Sequence, residues 1–308
     1  MSAGELGWWG VAVAILGGAI RVSTPYLFVS LAETLTEKSG RVNLGLEGTL
    51  LMGAMSGYGV SYLSGSPWLG LAAAAGAGAA FGLLHAMVCN LARVNDVAVG
   101  IALFIFGNGL AFFLGKPFVQ PQAPRLPTFD LGGFSGVPAV RAALDVSPLF
   151  FAGIAAAFIL RWALVNTRWG LIVRAVGDNA EAARAAGYPV NLTRTLATAT
   201  GGVLTGIAGA FLSLSYPGTW AEGLSSGQGL MAVTLVIFAR WRPLYCIWVS
   251  LLFGATSALG PALQTVGVSG YYYLIGAAPY VLTLALLVAS SSRRQRMAGA
   301  PGELSINR

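Results

Sequence analysis

Residues 67–92 read PWLGLAAAAGAGAAFGLLHAMVCNLA, a stretch without a single Asp, Glu, Lys or Arg. A helix needs about 20 predominantly apolar residues to cross the hydrocarbon of a bilayer, and this run is long enough. The same reading extends outward in both directions. Val97–Gly115 and Thr195–Ala221 are also charge-free, and Pro243–Ser292 carries no charge, broken only by Gly260-Pro261, Gly267 and Gly270. That last stretch reads as two helices with a polar turn between them. Further apolar runs begin at Glu47, end at Arg161, occupy Gly223–Ala239, and lie between Gly7 and Ala32, where Arg21 and Pro25 interrupt. The expectation is an all-α, polytopic membrane protein. Its single transmembrane domain fills 1–308, with about nine spans at 7–32, 44–64, 68–91, 97–115, 148–165, 195–215, 224–239, 244–262 and 272–291.

Composition agrees. Hydrophobic residues make up 56% of the 308-residue chain and charged residues 9%, against about 25% charged in soluble domains. Such a chain has too little polar surface to cover itself in water. Disorder is excluded, and a soluble enzyme or a nucleic-acid binder does not fit. The 42 glycines suit close helix packing in a membrane. The GxxxG pairs Gly53/Gly57, Gly78/Gly82 and Gly202/Gly206 are candidates for it, although some such pairs arise by chance. Cys89 and Cys246, both in apolar runs, offer no disulfide framework and no CxxC metal site. His85 is the only histidine and reads as a hydrogen-bonded packing residue. No metal is expected.

The net charge of +7 follows from topology. With 166–194 in the cytoplasm and alternation from there, the inside receives fourteen basic residues, among them Lys38, Arg41, Arg93, Arg168, Arg174, Arg240 and Arg242. The outside receives Lys116, Arg125 and Arg141, and Arg21 stays within the first span. The positive-inside rule therefore places the N-terminus outside and the C-terminus inside. No basic region precedes Leu6, so a cleaved signal peptide is not expected. Two loops are long. The outer one, 116–147, holds five prolines that argue against regular helix. The inner one, 166–194, contains a short helix at about 178–186. Asp178 or Asn179 can cap it, Glu181 suits its first turn, and its alanines are strong helix formers. Gly187 is placed to end it, and Pro189 blocks continuation. Spacing alone leaves two readings of this helix, an ordinary surface connector and a small-sided element that a foreign groove accepts.

Residues 33–53 read ETLTEKSGRVNLGLEGTLLMG. A charged turn runs into an apolar helix, and Asn43 and Glu47 are expected on one face of it. An ionisable group entering a span is costly and marks a functional candidate. The plainer role for Glu47 is a structural one, its carboxylate held by backbone amides or by a basic residue such as Arg41.

Here a resemblance becomes plain. Glu37–Gly48, followed by Met52-Gly53-Ala54, resembles the signature ERSGVVNLGLEGMMLMGA of ATP-binding-cassette (ABC) importer permeases that serve branched-chain amino acids, ribose and related sugars, and nucleosides. The form Asn43-Leu44-Gly45-Leu46-Glu47-Gly48 is most similar to the nucleoside and simple-sugar branch. Ala175–Gly187 resembles that family's cytoplasmic coupling segment AVGENPEAARAAGI, with Ala180 in place of Pro and Tyr188 in place of Ile.

The resemblance extends from about Arg21 to Ser290 and implies a permease subunit that breaks no covalent bond and needs no cofactor. It would form half of a translocation pathway for nucleosides or related ribosyl and simple-sugar compounds, in the cytoplasmic (inner) membrane of a bacterium. A second, similar but non-identical permease, cytoplasmic ATP-binding subunits and an extracytoplasmic solute-binding lipoprotein would be its partners, besides the small-molecule substrate and membrane lipid. The absence of a Walker-type phosphate loop assigns ATP hydrolysis to a partner. The implied coupling residues are Gly177, Asp178, Asn179, Glu181, Ala182, Ala183, Arg184, Ala185 and Gly187. Asn43, Glu47, Asn108 and Gln228 are the candidates for the pathway or a structural gate, with Tyr216 and Trp220 near outer span ends, Trp220 as an interfacial anchor. A secondary transporter would need mid-membrane ion-coupling groups, for which only Arg21 and Glu47 qualify. A membrane enzyme would need clustered catalytic groups, which the spans lack.

Overall fold

The computed structural model describes residues 8–91, 93–119, 121–133, 138–264, 275–289 and 299–306. Their helices are α1 (Trp8–Lys38), α2 (Leu46–Ser64), α3 (Pro67–Cys89), α4 (Asp96–Gly115), α5 (Pro138–Ala143), α6 (Pro148–Asn166), α7 (Arg168–Asp178), α8 (Ala180–Ala185), α9 (Val190–Leu214), α10 (Gln228–Phe238), α11 (Pro243–Gln264), α12 (Ala278–Ala289) and α13 (Gly302–Ile306). The described sheet is one antiparallel pair, β1 (Phe129–Asp130) and β2 (Asp145–Val146). Six helices are long and apolar enough to cross a membrane among the described residues: α1, α3, α4, α6, α9 and α11. Large apolar side chains on their outer faces, such as Ile105 and Phe113 of α4 and Ile159 and Trp162 of α6, are exposed. On a soluble monomer these would form an unusually large apolar surface; in a bilayer they meet lipid.

The bundle has two polar ends. At one, Arg41 pairs with Asp96 at 2.6 Å, Asn90 donates to Thr195 at 2.9 Å, and Arg194 donates to the Ser39 carbonyl at 3.1 Å. At the other, the Tyr58 hydroxyl donates to the Pro121 carbonyl at 2.8 Å, Ser61 to that of Pro124 at 2.9 Å, and the Leu126 amide to that of Leu214 at 2.9 Å. α2 begins near the first end and finishes at the second, so it runs through the bundle although its sequence is less apolar. It packs on α3, α4, α9 and α10, and an interior helix touches protein where a peripheral one touches lipid.

All three GxxxG pairs lie at helix crossings. Gly78 and Gly82 of α3 meet Gly202 and Gly206 of α9 backbone to backbone. A methyl added at Gly53 would sit 2.7 Å from Cα of Gly206, and one at Gly57 3.3 Å from Cβ of Ala74. α2, α3 and α9 are thereby drawn into one three-helix contact.

Several boundaries differ from those expected. α1 does not stop near residue 32 but continues to Lys38, through Pro25. It can do so because its buried acids find donors: the Asn43 amide donates to Glu33 at 2.8 Å, and the indole of Trp241 donates to Glu37. Where a span at 224–239 was expected, α10 has only 11 residues, about 16 Å at 1.5 Å per residue and half of a ~30 Å hydrocarbon core. The chain before it, 215–227, forms turns and irregular backbone. Of the expected span 272–291, the structure describes 275–289 with α12; 272–274 and 290–291 lie outside the described residues. α9 starts at Val190, five positions before the expected span, and α7 is an additional helix in the inner loop. The outer loop is not devoid of helix: α5 starts at Pro138, where the missing N–H of proline costs nothing. Trp220 is not an interfacial anchor; it is buried against Gly115. His85 is a packing residue, 1% exposed, with Nε2 3.4 Å from Sγ of Cys89.

Candidate functional site

Glu47 sits in the first turn of α2 and is 4% exposed. Its Oε1 accepts from the Ser225 hydroxyl at 2.5 Å and the Gly227 amide at 3.0 Å, and its Oε2 accepts from the Gly229 amide at 2.6 Å. Gly227, at φ +81°, is the residue before α10, so two of these donors belong to the unpaired N-terminal amides of that helix. A carboxylate at a helix N-terminus also meets the positive end of its dipole. Gly229 permits the approach, since a methyl there would lie 2.7 Å from Cα of Glu47. The starts of α2 and α10 are thus joined inside the bundle by one side chain. The expected basic partner is not used: Arg41 is engaged with Asp96 and with Asn90, 3.2 Å away.

Beside this junction is a cavity of about 230 Å³ lined by Glu47, Phe104, Asn108, Phe112, Ser225 and Ser226, among others. The Asn108 carbonyl oxygen is buried with no hydrogen-bond partner in the structure. Its lining combines two aromatic rings and apolar side chains with two hydroxyls, one unengaged amide oxygen and the Glu47 carboxylate. Glu47 and Asn108 are therefore brought together. Asn43 is not on the helix face of Glu47 as expected, because α2 begins at Leu46. The Asn43 side chain instead accepts from the Gly45 amide at 2.9 Å, a local bond that shapes the turn. Gln228 opens α10 but does not line the cavity. Phe104, Phe112 and Ser225 carried no signal in the sequence, since their relation to Glu47 exists only across the fold.

The inner loop 166–194 forms a second candidate site. α7 buries Gly170, Val173, Val176 and Gly177, an i, i+3, i+6/7 stripe that its sequence already displays. α8 is capped by Asn179, whose side chain accepts from the Ala182 amide at 2.9 Å. Asp178 is the last residue of α7 instead. The end of α8 is closed by Gly187 at φ +84°, with the Gly187 amide donating to Arg184 and the Tyr188 amide to Ala183, each at 3.0 Å, the paired bonds of a Schellman motif. Ala180 and Ala183 face inward against Val176 and Val190. Glu181, Ala182, Arg184, Ala185 and Gly187 face outward and are exposed. Gly177 is buried against the end of α1, so that position serves packing within the chain.

Comparison with known proteins gives the class. The family described as branched-chain amino acid transport system / permease component matches residues 7–291. A putative glucose ABC transporter permease protein of Haloferax volcanii is 35% identical over 253 residues, 80% of this chain and 77% of that protein. The nucleoside ABC transporter permease protein NupC of Lactococcus lactis is 29% identical over 293 residues, 89% of this chain and 90% of that one. The guanosine ABC transporter permease protein NupQ of Bacillus subtilis is 28% identical over 296 residues, 91% and 92% of the two chains. With a multi-pass helical bundle, a polar junction inside it and a capped helix exposed at one end, the chain belongs to this permease family, as an ABC transporter permease of the nucleoside and sugar type.

Proposed function

We propose that this subunit forms half of the translocation pathway of an ATP-driven importer of nucleosides or related ribosyl and simple-sugar compounds in the cytoplasmic membrane. A second, similar permease completes the pathway, cytoplasmic ATPases dock on α8, and a solute-binding lipoprotein delivers substrate from outside. The observation that carries the reading is α8 itself: a six-residue helix, capped at both ends, small-sided and exposed at the basic end of the bundle. ATPase closure would push this helix, and α9 and α7 would pass the motion to the spans. Nine membrane segments remain in this reading. They are the six spanning helices, the interior α2, 215–227 with α10 as one composite crossing, and the segment that holds α12. Glu47 pins the start of α10, and Asn108 with the neighbouring aromatic rings meets the solute.

The docking role predicts that Ala182→Trp inserts normally but weakens ATPase binding by about tenfold or more, since overpacking a close contact costs about 1–3 kcal/mol. Co-purification of the ATPase with the variant measures this, and parental docking and transport would remove the assignment. The substrate class is tested by uptake into proteoliposomes holding the complete system. Nucleosides or simple sugars should be accumulated with ATP, and accumulation of neither would refute the class.

The basic end supports a cytoplasmic placement of α8. In a chain lacking Cys89 and Cys246, Tyr188→Cys should react with an impermeant thiol reagent only from the cytoplasmic side, and Thr128→Cys only from outside. Labelling of position 188 from outside would invert the topology.

A further inference from the structure

Residues 299–306 pack on α7 and bond to the end of α1, the start of α8 and the first turns of α9. Nζ of Lys38 donates to the Gly299 carbonyl at 2.7 Å. Gly302 lies so close to the Asp178 carbonyl that a Cβ would overlap it. Glu303 makes two separate contacts. Its Oε1 accepts from the Ala180 amide at 2.9 Å, and its Oε2 pairs with Nη2 of Arg194 at 3.2 Å. Ala180 is the first residue of α8, and its N–H has no partner within that helix. α8 is thus capped twice, by Asn179 from its own segment and by Glu303 from 123 positions away. Arg194 lies near the start of α9, and its Nε donates to the Ser39 carbonyl in the turn after α1. The ion-paired side chains are only 11% and 18% exposed, which shields them from the screening that weakens surface pairs.

A six-residue helix is too short to hold its own position. α8 is flanked by the extended residue Asn179 on one side and by the exposed Gly187 on the other. Both are places where a load on α8 can be absorbed by rotation. The bonds of Glu303 oppose that rotation: they connect the N-terminus of α8, through one guanidinium, to the ends of both α1 and α9.

We propose that Glu303 is a positioning residue for the coupling helix, fixing the start of α8 to the ends of α1 and α9 so that motion of α8 reaches the membrane helices. The proposal rests on the coupling role given to α8 above. It assigns to segment 299–306 a part in the efficiency of transport, separate from binding either substrate or ATP.

The test uses the complete transporter in proteoliposomes, with uptake and ATP hydrolysis measured on the same preparation and normalised to assembled complex. Glu303→Ala loses both charge-assisted contacts and should leave hydrolysis running while solute moved per ATP falls about tenfold or more. Glu303→Gln keeps an acceptor for the Ala180 amide and loses the charge, so its ratio should fall between the two. It also keeps the test informative if the alanine variant assembles poorly. A spin label at Ala185→Cys, in the isolated subunit without Cys89 and Cys246, should become more mobile when Glu303 is replaced. An unchanged ratio of solute to ATP, or an unchanged label, overturns the proposal. Ala182→Trp in the same assay separates the two ideas. If it impairs docking while Glu303→Ala leaves the ratio intact, only the positioning role is lost. If Ala182→Trp is also without effect, the coupling role of α8 falls and this proposal falls with it.

Discussion

Glu47→Leu is expected to abolish assembly of the permease, and transport with it, whereas Glu47→Gln should retain a reduced yield of complex. The Glu47 carboxylate accepts three hydrogen bonds, from the Ser225 hydroxyl and the Gly227 and Gly229 amides. Leucine accepts none. Each buried donor left unsatisfied costs about 1–3 kcal/mol, and three of them consume much of the ~5–15 kcal/mol margin of a folded domain. The branched side chain would also stand where Gly229 approaches the backbone of α2. Glutamine is nearly isosteric. Its oxygen still serves Ser225 and Gly227, but its NH₂ group would face the Gly229 amide, donor against donor. Its cost is therefore about one lost bond, about 1–3 kcal/mol. The measurement is the yield of assembled complex after mild solubilisation, alongside uptake of several nucleosides and sugars. Normal yield in both variants with a changed substrate profile would show that Glu47 selects solute and does not pin α10.

Gly202→Leu should be comparably severe, for a reason of shape. In the crossing of α3 and α9, a Cβ at Gly202 would overlap the Gly78 carbonyl, and one at Gly78 would overlap that of Gly202. The obstructing atoms are backbone, so no rotamer change can make room. Overpacking a core costs about 1–3 kcal/mol when side chains can yield; here the helices must separate, and α2 is held by the same contact through Gly53 and Gly206. Gly76→Ala is the control on the same helix. Nothing lies within 4 Å of a Cβ there, and alanine is favoured over glycine within a helix by up to about 1 kcal/mol. Thermal stability of the detergent-solubilised subunit should fall sharply for the first variant and stay level or rise for the second. Equal behaviour of the two would mean that the close crossing contributes nothing to stability.

Much of the architecture was legible from residues 67–92 and the other charge-free runs, because crossing a bilayer imposes a length and a composition that the sequence displays directly. Asn179, Gly187 and Pro189 marked the short helix α8 because capping and termination depend on residues only a few positions apart. The small residues of the α2, α3 and α9 contact were visible as GxxxG pairs, but not which helix met which. Glu47 stood out as an acid in an apolar run, yet its partners could not be read, since Ser225, Gly227 and Gly229 are some 180 positions away along the chain. The same holds for Glu303 and the start of α8. The half-length of α10 was also hidden, because 224–239 is apolar enough to suggest a full crossing while residues 223–227 include left-handed conformations at Gly223, Ser226 and Gly227. What the sequence by itself determined was therefore local and compositional: the membrane class, most of the spans, the side bearing the basic residues and the caps. What only the tertiary structure decided was the pairing of groups remote in the chain. Hydrophobicity and helix propensity act on neighbours along the chain, whereas a buried carboxylate can be satisfied by any donor that the fold brings within 3 Å.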